Sequence, residues 1–473
     1  MSNFNIYYQG IIYSSTDIIK RVNNALLFLE NQNIIKGNKV AIISDNSLDY
    51  IILILALIKS EILFIPLNTH YSANQTKIFI NDLNCDYLFI SNKYFNKYSN
   101  LISTISIENI TSDINNNKSL NNLNYFTEPS NYLLNNLTNI ILSSGTSASP
   151  KYIVHDYSNH YYSALGSNKN IKLNNESKWL LSLPLYHVGG LAILFRTLIA
   201  GSHLIIPDST NSLTYCITTT YPSHYSFVFT QFQQLINNKI LLNIFRNSQV
   251  ILLGGSMIPE NIVKYSWNNK LPIYTSYGSS EMSSQITTTN KFELNDLLSS
   301  GLILDFRSIK ISDNNEILLK GKTLFKGYYL NNKILNPTDE NGWFHSGDLG
   351  KIDSKGRLYV LGRKDNMFIS GGENIYPEKI EKELLKIKGV NKCLVLAVDN
   401  IKFGKRPVCL LKFDKSININ DIKIIKNIII QEIPKYEVPD NFYYWPDEKE
   451  NNLKINRNKY LKLYENNELK KII

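Results

Sequence analysis

The chain has 473 residues, of which 43% are hydrophobic and 19% charged. At roughly 150 residues per domain this is too long for one small domain, and it is too apolar for a disordered chain. The 50 basic and 40 acidic residues leave a formal charge of +10; the lysines are scattered rather than clustered, so no nucleic-acid partner is expected and an anionic small molecule fits better.

The first 130 or so residues alternate helix and strand signals. Helical spacing runs over 16–29, 47–59 and 74–82, and strands are predicted at 39–44, 63–67 and 87–90. This order predicts parallel-type sheets covered by helices. Further strands are predicted at 179–183, 203–206, 226–229 and 249–253. From about 315 short strands with tight turns predict a small antiparallel subdomain. After Asp365 the pattern becomes a compact α+β unit: helix 377–387, strands 393–398 and 407–413, helix 420–432. An Asn-rich stretch at 113–124 reads as a surface loop. The fold class expected is therefore α/β, with a large N-terminal part and a small α+β C-terminal part.

Two apolar runs, 50–58 and 191–206, fall short of the ~20 clean residues that a membrane-spanning helix needs; the second carries Arg196 and His203. The N-terminal stretch has neither a signal-peptide nor a transit-peptide pattern. Cys85, Cys216, Cys393 and Cys409 form no CxxC pair, so neither a zinc site nor a disulfide framework is indicated. A soluble protein is expected, in a bacterial cytoplasm or a plastid stroma, with room for a homo-oligomer.

The segment with the clearest chemistry is Ile141-Leu-Ser-Ser-Gly-Thr-Ser-Ala-Ser-Pro-Lys151. An apolar run enters a loop of small hydroxyl residues that ends in Pro-Lys. Backbone N–H groups and hydroxyls in such a loop can wrap a phosphate chain, with Lys151 as a point charge. A Ser-rich surface turn is the plain alternative. Downstream, Leu252-Leu-Gly-Gly-Ser256 ends a strand without bulky side chains, so another body can approach its backbone. Tyr274-Thr-Ser-Tyr-Gly-Ser-Ser-Glu281 follows: Tyr277 offers a flat face, Ser280 a hydroxyl and Glu281 a carboxylate for magnesium. Then comes Gly342-Trp-Phe-His-Ser-Gly-Asp-Leu-Gly350, leading into a hairpin. If 353 pairs with 356, residue 348 lies opposite 361, and Asp348 and Arg363 end within a residue or two of each other. A carboxylate beside a guanidinium can grip a ribose diol; a surface ion pair is the plain alternative.

Together these segments resemble the adenylate-forming family of acyl-CoA synthetases, luciferases and peptide-synthetase adenylation domains, over nearly the whole chain and in the family's order. SSGTSASPKY stands for its phosphate loop [ST]SGTTGxPKG, Tyr277-Gly-Ser-Ser-Glu281 for YGxTE, GWFHSGDLG for GWFxTGDLG, and Gly362-Arg-Lys-Asp-Asn-Met-Phe368 for GRxDDxI. Within the family, Leu183-Pro-Leu-Tyr-His-Val-Gly-Gly-Leu-Ala-Ile-Leu-Phe-Arg196 and Tyr277-Gly-Ser-Ser-Glu-Met-Ser-Ser-Gln-Ile286 are similar to the branch that joins o-succinylbenzoate to CoA.

The resemblance implies a domain of residues 1–364 that takes ATP and the acid, and a mobile domain of 365–473 that turns at Asp365. It implies ATP, Mg2+ and CoA as cofactor and co-substrates, and a small carboxylic acid, o-succinylbenzoate, as substrate. Ser143, Ser144, Gly145, Thr146, Ser147 and Lys151 would hold the triphosphate, with Thr146 also among the catalytic groups. Gly254, Gly255, Ser256, Tyr277, Gly278 and Ser280 would surround the adenine, Asp348 and Arg363 the ribose, and Glu281 the metal. His187, Arg196 and Ser284 would meet the acid, His187 also gating the acyl pocket; a buried core histidine is its plain alternative. Gly371 and Gly372 would let the CoA arm lie close to the backbone. The C-terminal catalytic lysine is Lys454, followed three residues later by Arg457; Lys449 and Lys459 are rivals.

Departures from the family pattern are Ala148 and Tyr152, where it has glycine, and Leu453 in the lysine segment. If position 148 needs a positive φ, alanine there costs about 1 kcal/mol. Two other readings stay open: a ligase for another aryl or fatty acid, with CoA or a carrier protein as acceptor, and an inactive nucleotide-binding paralogue. Arg196 in an apolar run argues against a fatty acid. The surviving Glu281, Asp348 and Arg363 argue against inactivity.

Overall fold

The computed structural model describes residues 4–98, 100–111, 120–143, 150–208, 212–290, 292–413, 419–446 and 455–472. Two large sheets, of nine and eight strands, dominate it. The nine-stranded sheet is parallel at its centre and antiparallel at both edges, whereas the eight-stranded one is parallel through to one edge. In the eight-stranded sheet the strands Lys39–Ile43, Leu63–Pro66 and Tyr87–Ile90 pair in parallel, as their alternation with helices predicts. Its other half is antiparallel, because Leu137–Ser143 turns straight back into Lys151–Asp156. The nine-stranded sheet gains an N-terminal hairpin, Ile6–Tyr8 with Ile11–Tyr13, that hydrophobic periodicity over so few residues does not signal.

The largest core lies among these sheets. It draws Val40, Phe64 and Ile141 from one, Trp179, Leu204 and Leu252 from the other, and most of helix Leu48–Lys59. That helix is buried from Tyr50 to Ile58. It is apolar on all faces, which is stable only inside a protein. Ser47 starts it by accepting a hydrogen bond from the Tyr50 N–H at 3.1 Å. The second apolar run forms the buried helix Val188–Ala200, ended by Gly201 in the left-handed conformation (φ 64°). No helix among the described residues is long and apolar enough to cross a membrane.

A four-stranded antiparallel sheet carries the hairpin Phe344–Ile352 with Leu358–Arg363. Its register corrects the sequence expectation. The turn is one residue longer than expected, with Ile352 opposite Leu358, and a bulge after Leu349 adds one more. Asp348 therefore stands directly opposite Arg363 rather than opposite Leu361. Residues from Phe368 onward build two apolar clusters of their own around strands Val390–Asn400 and Gly404–Phe413. The helix predicted at 377–387 is Pro377–Leu384, with proline in its first turn. Most of the Asn-rich stretch lies outside the described residues.

A buried polar chain ties these layers together. His155 donates from Nε2 to the Ser280 carbonyl at 2.8 Å and faces Asn139 Nδ2 at 3.4 Å. Asn139 Oδ1 accepts from His160 Nε2 at 2.6 Å, and the His160 ring stacks on Phe195 at 4.7 Å. Burial pulls the His155 pKa down to about 4, although its bond to Ser280 works the other way. The unfolded chain takes up this proton below about pH 6.5; the folded one does not until about pH 4. This histidine's contribution to stability is thus full above pH 6.5 and lost as pH falls towards 4. The melting temperature of His155→Gln should accordingly fall less between pH 7 and pH 5 than that of the wild type. An unchanged pH slope in thermal melts would show that His155 does not carry this linkage.

Candidate active site

The phosphate-loop segment joins two antiparallel strands, so its ends are held together: Ser143 pairs with Lys151. Ser144, Gly145, Thr146, Ser147 and Ala148, which lie between, are outside the described residues. Successive strand residues point to opposite faces, and the two residues after the loop divide accordingly. Tyr152 turns inward and donates from its hydroxyl to Asp82 at 2.7 Å, with its ring 6.4 Å from Phe79. Lys151 lies on the other side, its Nζ 5.1 Å from the centre of the Tyr328 ring. The Tyr328 hydroxyl donates to Glu281 Oε1 at 3.0 Å. Tyr328 is the main residue here that sequence reasoning missed. It sits 47 residues from Glu281, and no motif marks it.

Glu281 is half-buried, and among the described residues it has no cationic partner. No cluster of three or more metal-ligating side chains occurs among the described residues. Such a site suits Mg2+, which binds through one or two carboxylates plus substrate phosphates rather than in a protein cage.

The ribose-type pair is more tightly built than sequence suggested. Asp348 accepts from the Tyr277 hydroxyl at 2.6 Å through Oδ2 and from Arg363 Nη1 at 3.1 Å through Oδ1. Arg363 also donates from Nη2 to Asp365 at 3.0 Å and from Nη1 to the Ser346 carbonyl at 2.9 Å. Tyr277 is only 9% exposed and packs with Ile153, Met282 and Ile286. Burial, reinforced by the Asp348 carboxylate, pushes its phenol well above the ordinary value, so it stays a donor.

Several predicted small residues have local reasons for being small. A Cβ on Gly278 would lie 2.2 Å from the Ser284 carbonyl oxygen, and a Cβ on Gly254 would lie 2.6 Å from Ser276 Oγ. Gly255 has φ 80° and leads to the exposed Ser256 after strand Val250–Leu253. Gly371 and Gly372, at φ 59° and 91°, make the turn between strands Phe368–Ser370 and Glu373–Ile375. Ser280 contributes its carbonyl to His155.

Of the residues expected to meet the acid, half-buried His187 is the N-cap residue of helix Val188–Ala200, with its ring edge-on to Tyr186 at 4.7 Å. Arg196, further along that helix, is 2% exposed. Its guanidinium lies 5.4 Å from the Trp179 ring centre and donates from Nη2 to Ser284 Oγ at 3.2 Å. Its Nε has no partner, and no carboxylate pairs with it among the described residues. Burial alone pulls it down to about 9, which leaves it charged at neutral pH. Ser284 itself has φ 101°, a conformation that side chains rarely adopt.

Asp365 lies in the short turn Lys364–Asn366 that follows the hairpin. Lys364 pairs with Glu316 at 3.1 Å, and Asn366 bonds Glu378. Lys449, Leu453 and Lys454 lie outside the described residues. Arg457, three residues after Lys454, pairs with Glu381 at 2.6 Å and Glu378 at 3.3 Å, and Lys459 sits on helix Arg457–Glu465.

Known proteins are similar to this chain in sequence and in fold. The 2-succinylbenzoate–CoA ligase of Listeria monocytogenes (strain F2365) is 32% identical over 308 residues, 64% of this chain and 66% of that relative. The 2-succinylbenzoate–CoA ligase of Oceanobacillus iheyensis is 30% identical over 404 residues, covering 82% of this chain and 81% of the relative. The o-succinylbenzoate CoA synthetase (MenE) of Bacillus subtilis, solved with the acyl-adenylate intermediate OSB-AMP, superposes with a TM-score of 0.83 at 25% identity, over 96% of this chain and 94% of that one. The same protein solved with ATP and magnesium ion gives 0.82 at 25% identity, over 96% and 95%. The family described as AMP-binding enzyme matches residues 5–329. With its phosphate-loop strands, Glu281 and the Tyr277–Asp348–Arg363 cluster in the family's order, the chain belongs to the AMP-binding enzymes.

Proposed function

We propose that this chain is an ATP-dependent, AMP-forming ligase that converts o-succinylbenzoate and CoA to o-succinylbenzoyl-CoA, with release of AMP and diphosphate. In the first half-reaction a carboxylate oxygen attacks the α-phosphate of ATP, and pyrophosphate departs. Both reactants are anionic, so the protein's task is positioning and neutralisation of charge. Lys454 bridges the incoming carboxylate and the α-phosphate. Ser143, Ser144, Gly145, Thr146, Ser147 and Lys151 hold the β- and γ-phosphates. Asp348 and Arg363 hold the ribose; Gly254 to Ser256, Tyr277, Gly278 and Ser280 flank the adenine. Glu281 holds Mg2+, which when bound offsets phosphate charge. In the second half-reaction the CoA thiol attacks the acyl carbon of the adenylate and AMP leaves. Residues 365–473 turn at Asp365 between the two halves, which withdraws Lys454, brings Gly371 and Gly372 to the CoA arm, and leaves His187 to gate the acyl pocket.

The observation that carries the choice of acid is Arg196. A guanidinium in apolar surroundings is costly unless it is paired, and among the described residues this one has a serine hydroxyl and an indole face for polar contacts. The second carboxylate of a dicarboxylic acid supplies the missing counter-charge; a fatty acid has none to supply. Among the described residues no internal carboxylate pairs with Arg196, and at 2% exposure it does not reach the surface.

Arg196→Leu should lower kcat/KM for o-succinylbenzoate by about tenfold or more, the value of a charge-assisted hydrogen bond. ATP–pyrophosphate exchange should show an unchanged KM for ATP, and discrimination against a benzoate without the second carboxylate should narrow. A variant that melts several degrees lower, with all substrates affected alike, would make Arg196 structural. In the same assay, exchange supported by decanoate but not by o-succinylbenzoate would replace the proposed acid.

Lys454→Ala should abolish exchange yet still convert a supplied acyl-adenylate to the thioester. Lys449→Ala and Lys459→Ala should keep both activities. If one of those two loses exchange and Lys454→Ala keeps it, the catalytic lysine is misassigned.

A further inference from the structure

Lys151 and Glu281 carry opposite charges and share one neighbour, the side chain of Tyr328. The lysine Nζ sits over the ring, 5.1 Å from its centre. The hydroxyl donates to Glu281 Oε1 at 3.0 Å. No direct Lys151–Glu281 ion pair forms among the described residues.

We propose that Tyr328 is a positioning residue that keeps these two charges from neutralising each other. Left to themselves, a flexible lysine and a half-buried carboxylate would collapse into a contact pair. Each would then lose the charge it needs for an external partner. The aromatic ring offers the ammonium an alternative seat through its negative face, while the phenol fixes one carboxylate oxygen and leaves Oε2 to a cation. Lys151 is thereby kept for phosphate and Glu281 for Mg2+. This inference rests on the roles given to those two residues under the proposed function.

The surroundings suit a fixed spacer. Tyr328 lies in strand Gly327–Leu330, which pairs antiparallel to the strand that begins with Lys151 and places Tyr328 opposite Ile153. Phe325 packs edge-on against the Tyr328 ring at 4.8 Å, and its N–H donates to the Glu281 carbonyl at 2.8 Å. Gly327 has φ 142°, and a Cβ there would lie 2.3 Å from the Leu335 carbonyl oxygen, so the backbone beneath Tyr328 has little freedom. The ring is therefore placed by packing, and the hydroxyl is free to serve the carboxylate.

Two variants separate the two contacts. Tyr328→Phe keeps the ring and deletes the hydroxyl; Tyr328→Leu deletes both. Calorimetric titration with ATP, without and with Mg2+, reads them independently of turnover. Tyr328→Phe should bind Mg2+-free ATP like the wild type but lose about tenfold of the gain that Mg2+ brings, the size of a hydrogen bond to a charged group. Tyr328→Leu should in addition bind Mg2+-free ATP about threefold more weakly. Tyr328→Phe with the full Mg2+ gain would overturn the proposal. So would a Tyr328→Phe variant that melts several degrees lower and loses both affinities equally, because the residue would then be structural. A wild type that gains nothing from Mg2+ would instead sink the role of Glu281 under the proposed function, and the spacer with it.

Discussion

The carboxylate of Asp348 is the point on which the arrangement of the site depends. It takes one hydrogen bond from Tyr277 on the nine-stranded sheet and one from Arg363 across its own hairpin. Arg363 reaches in turn to Asp365, where the chain leaves that hairpin. A strand of the nine-stranded sheet, the hairpin and the turn after it are thus linked through one side chain. Because Tyr277 and Asp348 are both largely removed from water, the bonds between them are short and directional, and neither partner can leave without stranding the other. The small residues nearby follow from the same crowding. Gly278 is tolerated where a bulge presses the chain against Ser284, and only a glycine fits there.

Two buried arginines show how differently one interior can treat the same group. Arg307 is solvated by protein: it donates to the carbonyls of Gln285, Asp305 and Ser163 and to the Ser163 hydroxyl. Its charge is internal furniture. Arg196 is as deeply buried, but among the described residues its guanidinium has one hydroxyl as hydrogen-bond partner and its Nε has none. Burial first and the neighbouring Arg196 charge second pull Arg307 down to about 9. Among the described residues no carboxylate forms an ion pair with either guanidinium, and an interior left positive in this way has the property that a binding site for an anion requires.

Much of this was legible in the chain itself. Strands and helices from Lys39 to Ile90 could be read because parallel strands and buried helices leave long apolar signals. The branch of the family could be read from the segment that ends at Arg196. What failed to show was whatever depends on register or on distant partners. The Asp348–Arg363 pairing was approached but displaced by two positions, because a longer turn and a bulge each add a residue that no alternation pattern reveals. Neither the Asn139–His155–His160 chain nor the contact of Tyr328 with Glu281 could be seen, since each joins residues that only the folded sheets bring together. Tyr152, a departure when read against the family pattern, is in the fold a clamp onto Asp82.

The turn at 364–366 is held by ions on both sides: Lys364 to Glu316, Arg363 to Asp365. The Lys364 and Asp365 side chains are about half exposed, so water and dissolved salt reach these pairs. Under the proposed rotation at Asp365, one orientation of the C-terminal residues keeps the pairs and the other must rearrange them. Counter-ions weaken exposed pairs far more than buried ones, over a Debye length of about 8 Å in physiological salt. The equilibrium between the two orientations then acquires a dependence on ionic strength that neither chemical step has by itself, and the surrounding electrolyte becomes one of the quantities that set how long the enzyme dwells in each half of its cycle.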